Sequence, residues 1–240
     1  MKKILIGFSF LLFFSCIGYA QGKIRPPKKR ENPAPAQQNT TPPVFTTRHP
    51  SDIYLEGKQA YDAGNYEKAV TLFKEAAEYS NFLALYYLGE MYYYGKGVSQ
   101  SYTESADYFR RAATQGYAPA QAYIGFMYKK GYGVPQDYTT AMDWLMKAAE
   151  NGSAMGQNSL GEMYFYGHGT KVDYSKAAYW YTRSANLGYA DAQFNMGWMC
   201  EFGLGGISKN ITDAVEWYRK AARNGNHNAI ERLNKLGYTY

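Results

Sequence analysis

The stretch AQAYIGFMYKKGYGVPQDYTTAMDWLMKAAENG, from Ala120 to Gly152, decides the fold because the chain repeats it. Gly89, Gly125, Gly161 and Gly197 fall 36 residues apart. The same interval links Gly95, Gly131, Gly167 and Gly203, and also Gly97, Gly133, Gly169 and Gly205. Leu88, Ile124, Leu160 and Met196 precede the first glycine of each set, and Met91, Met127, Met163 and Met199 follow it. Tyr108, Trp144 and Trp180 keep the period. Trp217 comes one residue late because the loop Gly203-Leu204-Gly205-Gly206 has gained one. Self-similarity at such a period marks a repeat architecture, in which units stack because none can bury its apolar face alone.

Each unit reads as two antiparallel helices, helix A near Ala120–Lys130 and helix B near Tyr138–Asn151 in the quoted copy. Ser101, Asp137, Asp173 and Asn210 stand where helix B begins, and their side chains suit the free N–H groups of a first turn. Ser101 with Glu104 has the spacing of a capping box. Gly116, Gly152, Gly188 and Gly225 should close the B helices in the left-handed conformation. Gly89 and its equivalents lie inside helix A, where glycine is unfavourable by about 1 kcal/mol. Their recurrence predicts close approach of helix B. Trp144, Trp180, Trp217 and Tyr128 are expected in the core by the same recurrence. Four units cover 81–116, 117–152, 153–188 and 189–225. A variant unit, 51–80, has a tight turn at Gly64-Asn65 that resembles a tetratricopeptide motif. Residues 226–240 should supply a capping helix, Asn226 to Leu236, and a tail.

The first fifty residues are of a different kind. Met1-Lys2-Lys3, the apolar run Ile4–Phe14 and the small residues around Gly18 and Ala20 read as a signal peptide over 1–20, cut after Ala20. An alternative makes Cys16 the lipidated residue of a lipoprotein. The apolar run is shorter than the roughly 20 residues a bilayer span needs, so no span is expected in the mature chain. Residues 21–50 hold seven of the nine prolines and should form an extended basic tether. Residues 1–50 carry eight Lys or Arg against one Glu, so the whole-chain charge of +6 leaves the remainder at −1. A nearly neutral repeat region argues against nucleic acid as partner. The chain is expected to be exported, periplasmic or secreted. With Cys200 as the one cysteine left after signal removal, stability must come from packing rather than disulfides.

No constellation for chemistry stands out. Cys200 continues the column Tyr92, Tyr128, Tyr164 and should be a buried thiol. His49, His168 and His227 have no metal-ligand spacing, and His168, in Gly167-His168-Gly169, is expected to be exposed. The Gly-x-Gly loops follow helices and lack the Lys-Ser/Thr ending of a phosphate loop. No cofactor, metal or catalytic residue is assigned.

The second copy combines Ala120, Ile124, Gly125, Tyr128, Gly131, Gly133, Val134, Asp137, Ala141, Trp144, Ala148, Ala149 and Gly152. This pattern resembles the Sel-like repeat family. The resemblance implies an all-α, right-handed α/α solenoid whose members mainly serve as adaptors in protein complexes. One exported, cysteine-rich branch is described as penicillin-binding or β-lactamase-like, but its members carry a cysteine pair per repeat that this chain lacks.

The binding surface is expected on the concave side of the A helices. If 84, 88, 91 and 92 face the core, then 86, 90 and 93 share another side. The four copies place Tyr86, Glu90 and Tyr93 there, then Phe126 and Lys129, then Asn158, Glu162 and Phe165, and finally Phe194, Trp198 and Glu201. Aromatic residues with interspersed charges suit a protein or peptide partner. The alternatives are a cell-wall glycan, which also stacks on aromatic faces, and a β-lactamase-like or cell-wall-acting enzyme.

Overall fold

A computed structural model describes residues 48–239. The expected signal peptide, Cys16 and nearly all of the tether lie outside these residues. Pro50, counted above with the tether, opens the first helix, and His49 caps it. The first unit pairs α1 (Pro50–Asp62) with α2 (Tyr66–Glu78), and the second α3 (Phe82–Tyr94) with α4 (Tyr102–Thr114). Then come α5 (Ala118–Lys130) with α6 (Tyr138–Glu150), α7 (Ala154–Tyr166) with α8 (Tyr174–Asn186), and α9 (Ala190–Phe202) with α10 (Ile211–Arg223). The helix α11 (His227–Leu236) packs on α10 and ends the stack. Every helix packs chiefly on its sequence neighbours, and among the described residues there is no strand. This is an α/α solenoid. The most substantial helix-skipping contact joins α5 to α7, so the first helices of these units share one continuous face.

The polar punctuation works largely as its chemistry dictates. Ser101, Asp137, Asp173 and Asn210 each accept a first-turn backbone N–H. The capping box at Ser101 is only half made. Its own N–H donates to the Tyr92 carbonyl instead, leaving Glu104 to contact the Ser101 hydroxyl. The same bond recurs from Asp137 to Tyr128, Asp173 to Tyr164 and Asn210 to Cys200, tying helix B to helix A in the second to fifth units.

Gly161 shows why helix A tolerates a glycine. A Cβ there would stand 2.6 Å from Cδ1 of Tyr181, so the missing side chain lets the ring lie on the helix. Phe109, Leu145 and Tyr218 occupy the corresponding place in other units, and all four are buried. This column, not the tryptophan beside it, is the core of helix B. Trp144, Trp180 and Trp217 are half-buried, as is Tyr128. The indoles lie at the seam between units, where Lys147 Nζ, Arg183 Cζ and Lys220 Nζ stand 4.7, 5.8 and 4.3 Å from the ring centres. Adjacent positions on a helix point about 100° apart, so with one column seated on the helix A glycine the neighbouring indole is turned to the edge of the core.

A glutamine column bridges neighbouring units. Gln121 and Gln193 each donate to a carbonyl of the preceding helix and accept from Asn151 or Asn224, at 2.9 and 2.8 Å. Gln157 makes the first bond, to Ala149, but its Oε1 is buried without a partner. The position equivalent to Asn151 is Leu187, which is exposed. Leu187→Asn should therefore stabilise the fold by about 1 kcal/mol, the usual net worth of a hydrogen bond that satisfies a buried group. Thermal melts measure it, and an unchanged or lower midpoint counts against this account.

Candidate interaction groove

Three adjoining cavities open on the face of the first helices. The first, of 280 Å³, is lined by Tyr93, Tyr94, Tyr123, Phe126 and Tyr189, with Lys129, Asn158 and Glu162 among its polar groups. A second, of 150 Å³, shares Lys129 and Glu162 with it and adds Lys130, Gln136, Tyr138, Tyr166 and His168. Tyr166 is common to the third, of 300 Å³, whose other walls are Phe165, Tyr181, Phe194, Asn195 and Trp198. Shared residues make the three one run across α3, α5, α7 and α9.

Most residues of the expected stripe line this run, since Tyr93, Phe126, Lys129, Asn158 and Glu162 meet at the first cavity and Phe165, Phe194 and Trp198 at the third. The rings of Phe126, Phe165, Phe194 and Trp198 are half-buried rather than standing free. Phe165 packs on Tyr174 and Tyr181, and Phe194 on Tyr218, so these rings hold the solenoid together while facing the groove.

The stripe's ends depart from the expectation. Tyr86 is packed among Phe109, Tyr117 and Tyr123, and its hydroxyl donates to Glu90 at 2.9 Å. Burial pushes the Glu90 carboxyl above its usual range, against that hydrogen bond. Both residues close the seam between the second and third units. At the far end Glu201 is buried. It accepts from the Tyr218 hydroxyl at 2.8 Å and from Arg232 Nε at 2.9 Å. The reason is common to both ends: a carboxylate facing a neighbouring helix is desolvated, so it is satisfied internally.

The polar groups within the groove are also bonded to one another. Lys129, whose side chain is only 7% exposed, places Nζ 2.5 Å from Glu162 Oε2. Asn158 donates to Glu162 Oε1 at 3.0 Å and accepts from Asn195 at 2.9 Å, which links three successive units. Pairing is what makes this burial tolerable.

Sequence reasoning missed the rim. Tyr94, Tyr166 and Phe202 are 54%, 62% and 46% exposed. They occupy one column, and the 36-residue interval from Tyr94 through Lys130 to Tyr166 and Phe202 was the signal for it. His168 is not the exposed loop residue expected. It is half-buried, stacked 4.6 Å from Tyr138 and 5.7 Å from Tyr166. The residues between the loop glycines behave alike elsewhere, with Tyr132 stacked on Tyr102 at 4.9 Å and Lys96 Nζ 5.6 Å from the Tyr66 ring. Tyr66, Tyr102, Tyr138 and Tyr174 open successive B helices, so each loop leans on the unit before it.

The Sel1 repeat model matches five times, at residues 51–78, 83–117, 118–153, 154–189 and 190–226. This chain belongs to the Sel1 repeat family. The first unit, set apart above by its short turn, is one of the five. A Sel1 repeat protein from Oxalobacter formigenes is 31% identical, with a TM-score of 0.73 over 79% of this chain and 78% of that one. The protein c5321, a protective antigen of uropathogenic Escherichia coli with an SLR fold, is 32% identical with a TM-score of 0.69. The alignment covers 80% of this chain and 42% of c5321, so the chain spans under half the length of that relative. No curated protein matches the sequence. Sel1 repeat proteins are generally non-enzymatic protein-interaction scaffolds. No helix among the described residues is long and apolar enough to cross a membrane.

Cys200 sits in the Sel1 frame as a buried thiol, and burial pushes its pKa up. It should react slowly with Ellman's reagent in the native protein and promptly once denatured. Fast native reactivity would instead make it a candidate nucleophile.

Proposed function

We propose that this Sel1 repeat protein is an exported, non-catalytic adaptor that binds an extended segment of a partner protein in the groove of its A helices. The observation that carries the reading is the run of three adjoining cavities whose aromatic walls come from four successive units. Aromatic anchors in such a surface typically carry 2 kcal/mol or more of binding free energy each. Export rests on the basic, apolar and small residues of Met1–Ala20. Pull-down from an envelope extract with wild type, Phe126→Ala and Trp198→Ala tests it. Retention of one partner should fall at least tenfold in each variant while helical circular dichroism persists. Variants that retain the partner fully would exclude the groove. Preferential capture of cell-wall glycan would replace the protein partner with a carbohydrate, and turnover of nitrocefin by pure protein would favour the enzymatic alternative.

A further inference from the structure

We infer that the segment taken by the groove carries an acidic residue between two bulky apolar residues, an inference that rests on the groove-binding reading above. The three cavities differ in charge. The outer two are aromatic, with Tyr93, Tyr123 and Phe126 walling one and Phe165, Phe194 and Trp198 the other. The middle cavity holds Lys129, Lys130 and His168 against one carboxylate, Glu162. That carboxylate is fully engaged, with one oxygen on Lys129 Nζ and the other on the Asn158 amide. The Gln136 amide donates to the Lys129 carbonyl and the Tyr138 hydroxyl. Asp191, the other carboxylate of the run, lines the first cavity and accepts from the Asn226 amide at 2.7 Å.

Lys130 is different. It is exposed, makes no ion pair among the described residues, and keeps its ammonium 6.0 Å from the Phe126 ring centre. With the Lys129–Glu162 pair cancelling, Lys130 leaves the middle cavity with a net positive charge. A carboxylate complements it, while an ammonium or guanidinium would meet repulsion at the centre of the run.

The test is selection of a randomised displayed-peptide library on the full chain, in parallel with Lys130→Glu and Trp198→Ala. Lys130 is exposed, so its reversal should leave the circular dichroism unchanged. Wild type should enrich Asp or Glu flanked on both sides by aromatic or large aliphatic residues. Lys130→Glu should enrich Lys or Arg at the same place, and should bind the wild-type selection more weakly, because it sets like charges against each other. Wild-type selection of neutral or basic central residues, or an unchanged preference in Lys130→Glu, overturns the acidic assignment and leaves the groove standing. No enrichment by wild type, or peptides that bind Trp198→Ala equally well, overturns both.

Discussion

Gly133→Ala is expected to destabilise the solenoid more than alanine at any other loop glycine, and to break its unfolding into two steps. Gly133 has φ +67°, and a Cβ on it would stand 2.1 Å from the Tyr102 carbonyl oxygen and 2.2 Å from its carbon. Those are backbone atoms of the first turn of α4 and cannot swing aside. The left-handed conformation costs an L-residue about 1–2 kcal/mol, and forced displacement of packed atoms about 1–3 kcal/mol more. Gly133 belongs to the third unit and Tyr102 to the second, so the damage falls on one interface of a nearly one-dimensional array. Gly152→Ala is the control. Its φ is +83° and nothing lies within 4 Å of its would-be Cβ, so only the backbone cost remains. Urea denaturation followed by circular dichroism should give a biphasic curve for the first variant and one slightly shifted transition for the second. Equal midpoints would mean that the loop does not couple the units.

Arg232→Ala should cost about 3–5 kcal/mol, the usual consequence of leaving a buried charge unpaired. Arg232 lies on α11, pairs with Glu201, and holds its guanidinium 5.4 Å from the Trp198 ring centre and 5.8 Å from that of Phe202. Burial alone would raise the pKa of Glu201, but hydrogen bonds from Arg232 and Tyr218 outweigh it and leave the carboxyl below its usual value. The sign of the pH dependence follows. A group whose folded pKa is depressed contributes fully above its unfolded pKa, about 4.3 for Glu, and that contribution is lost as pH falls through the folded value. The double variant Arg232→Met with Glu201→Leu removes both charges. It should be far more stable than Arg232→Ala and should lack this acid-side loss. Scanning calorimetry at neutral and acid pH decides. A single variant as stable as wild type would show that the pair contributes nothing.

The fold was legible because a period is a geometric statement: columns at 36 residues in Gly, Met and Leu/Ile can only be one packed frame repeated. The groove was legible in part for the same reason. Phe126, Phe165 and Trp198 could be placed on one face by counting along helix A. What counting could not supply was depth. Tyr86 and Phe165 occupy matching faces, yet one is surrounded by the rings of Phe109, Tyr117 and Tyr123 while the other lines a cavity. Phe109 comes from the helix B of Tyr86's own unit and Tyr117 and Tyr123 from the next unit, and counting along one helix A registers none of them. The tryptophans misled for a related reason. Trp144 recurs in kind, whereas its neighbour column changes through Phe109, Leu145, Tyr181 and Tyr218, and the column that changes is the buried one. Recurrence of residue type reports any fixed contact, including a half-exposed indole beneath a lysine. Invariance and burial are separate properties.

The tyrosines that open α2, α4 and α6 each meet a different side chain from the following loop, a lysine, a tyrosine and a histidine in turn. The receiving half of the joint is standardised and the inserted half is not. A flat phenol face accepts a cation, an aromatic ring or an imidazole with little change in geometry. Such a joint makes no distinction among successors, so the order of units is not written into it. A unit duplicated in frame would find a compatible seat on either neighbour. The chain can therefore grow by cassettes, and each added cassette lengthens the face of first helices on which the cavities open.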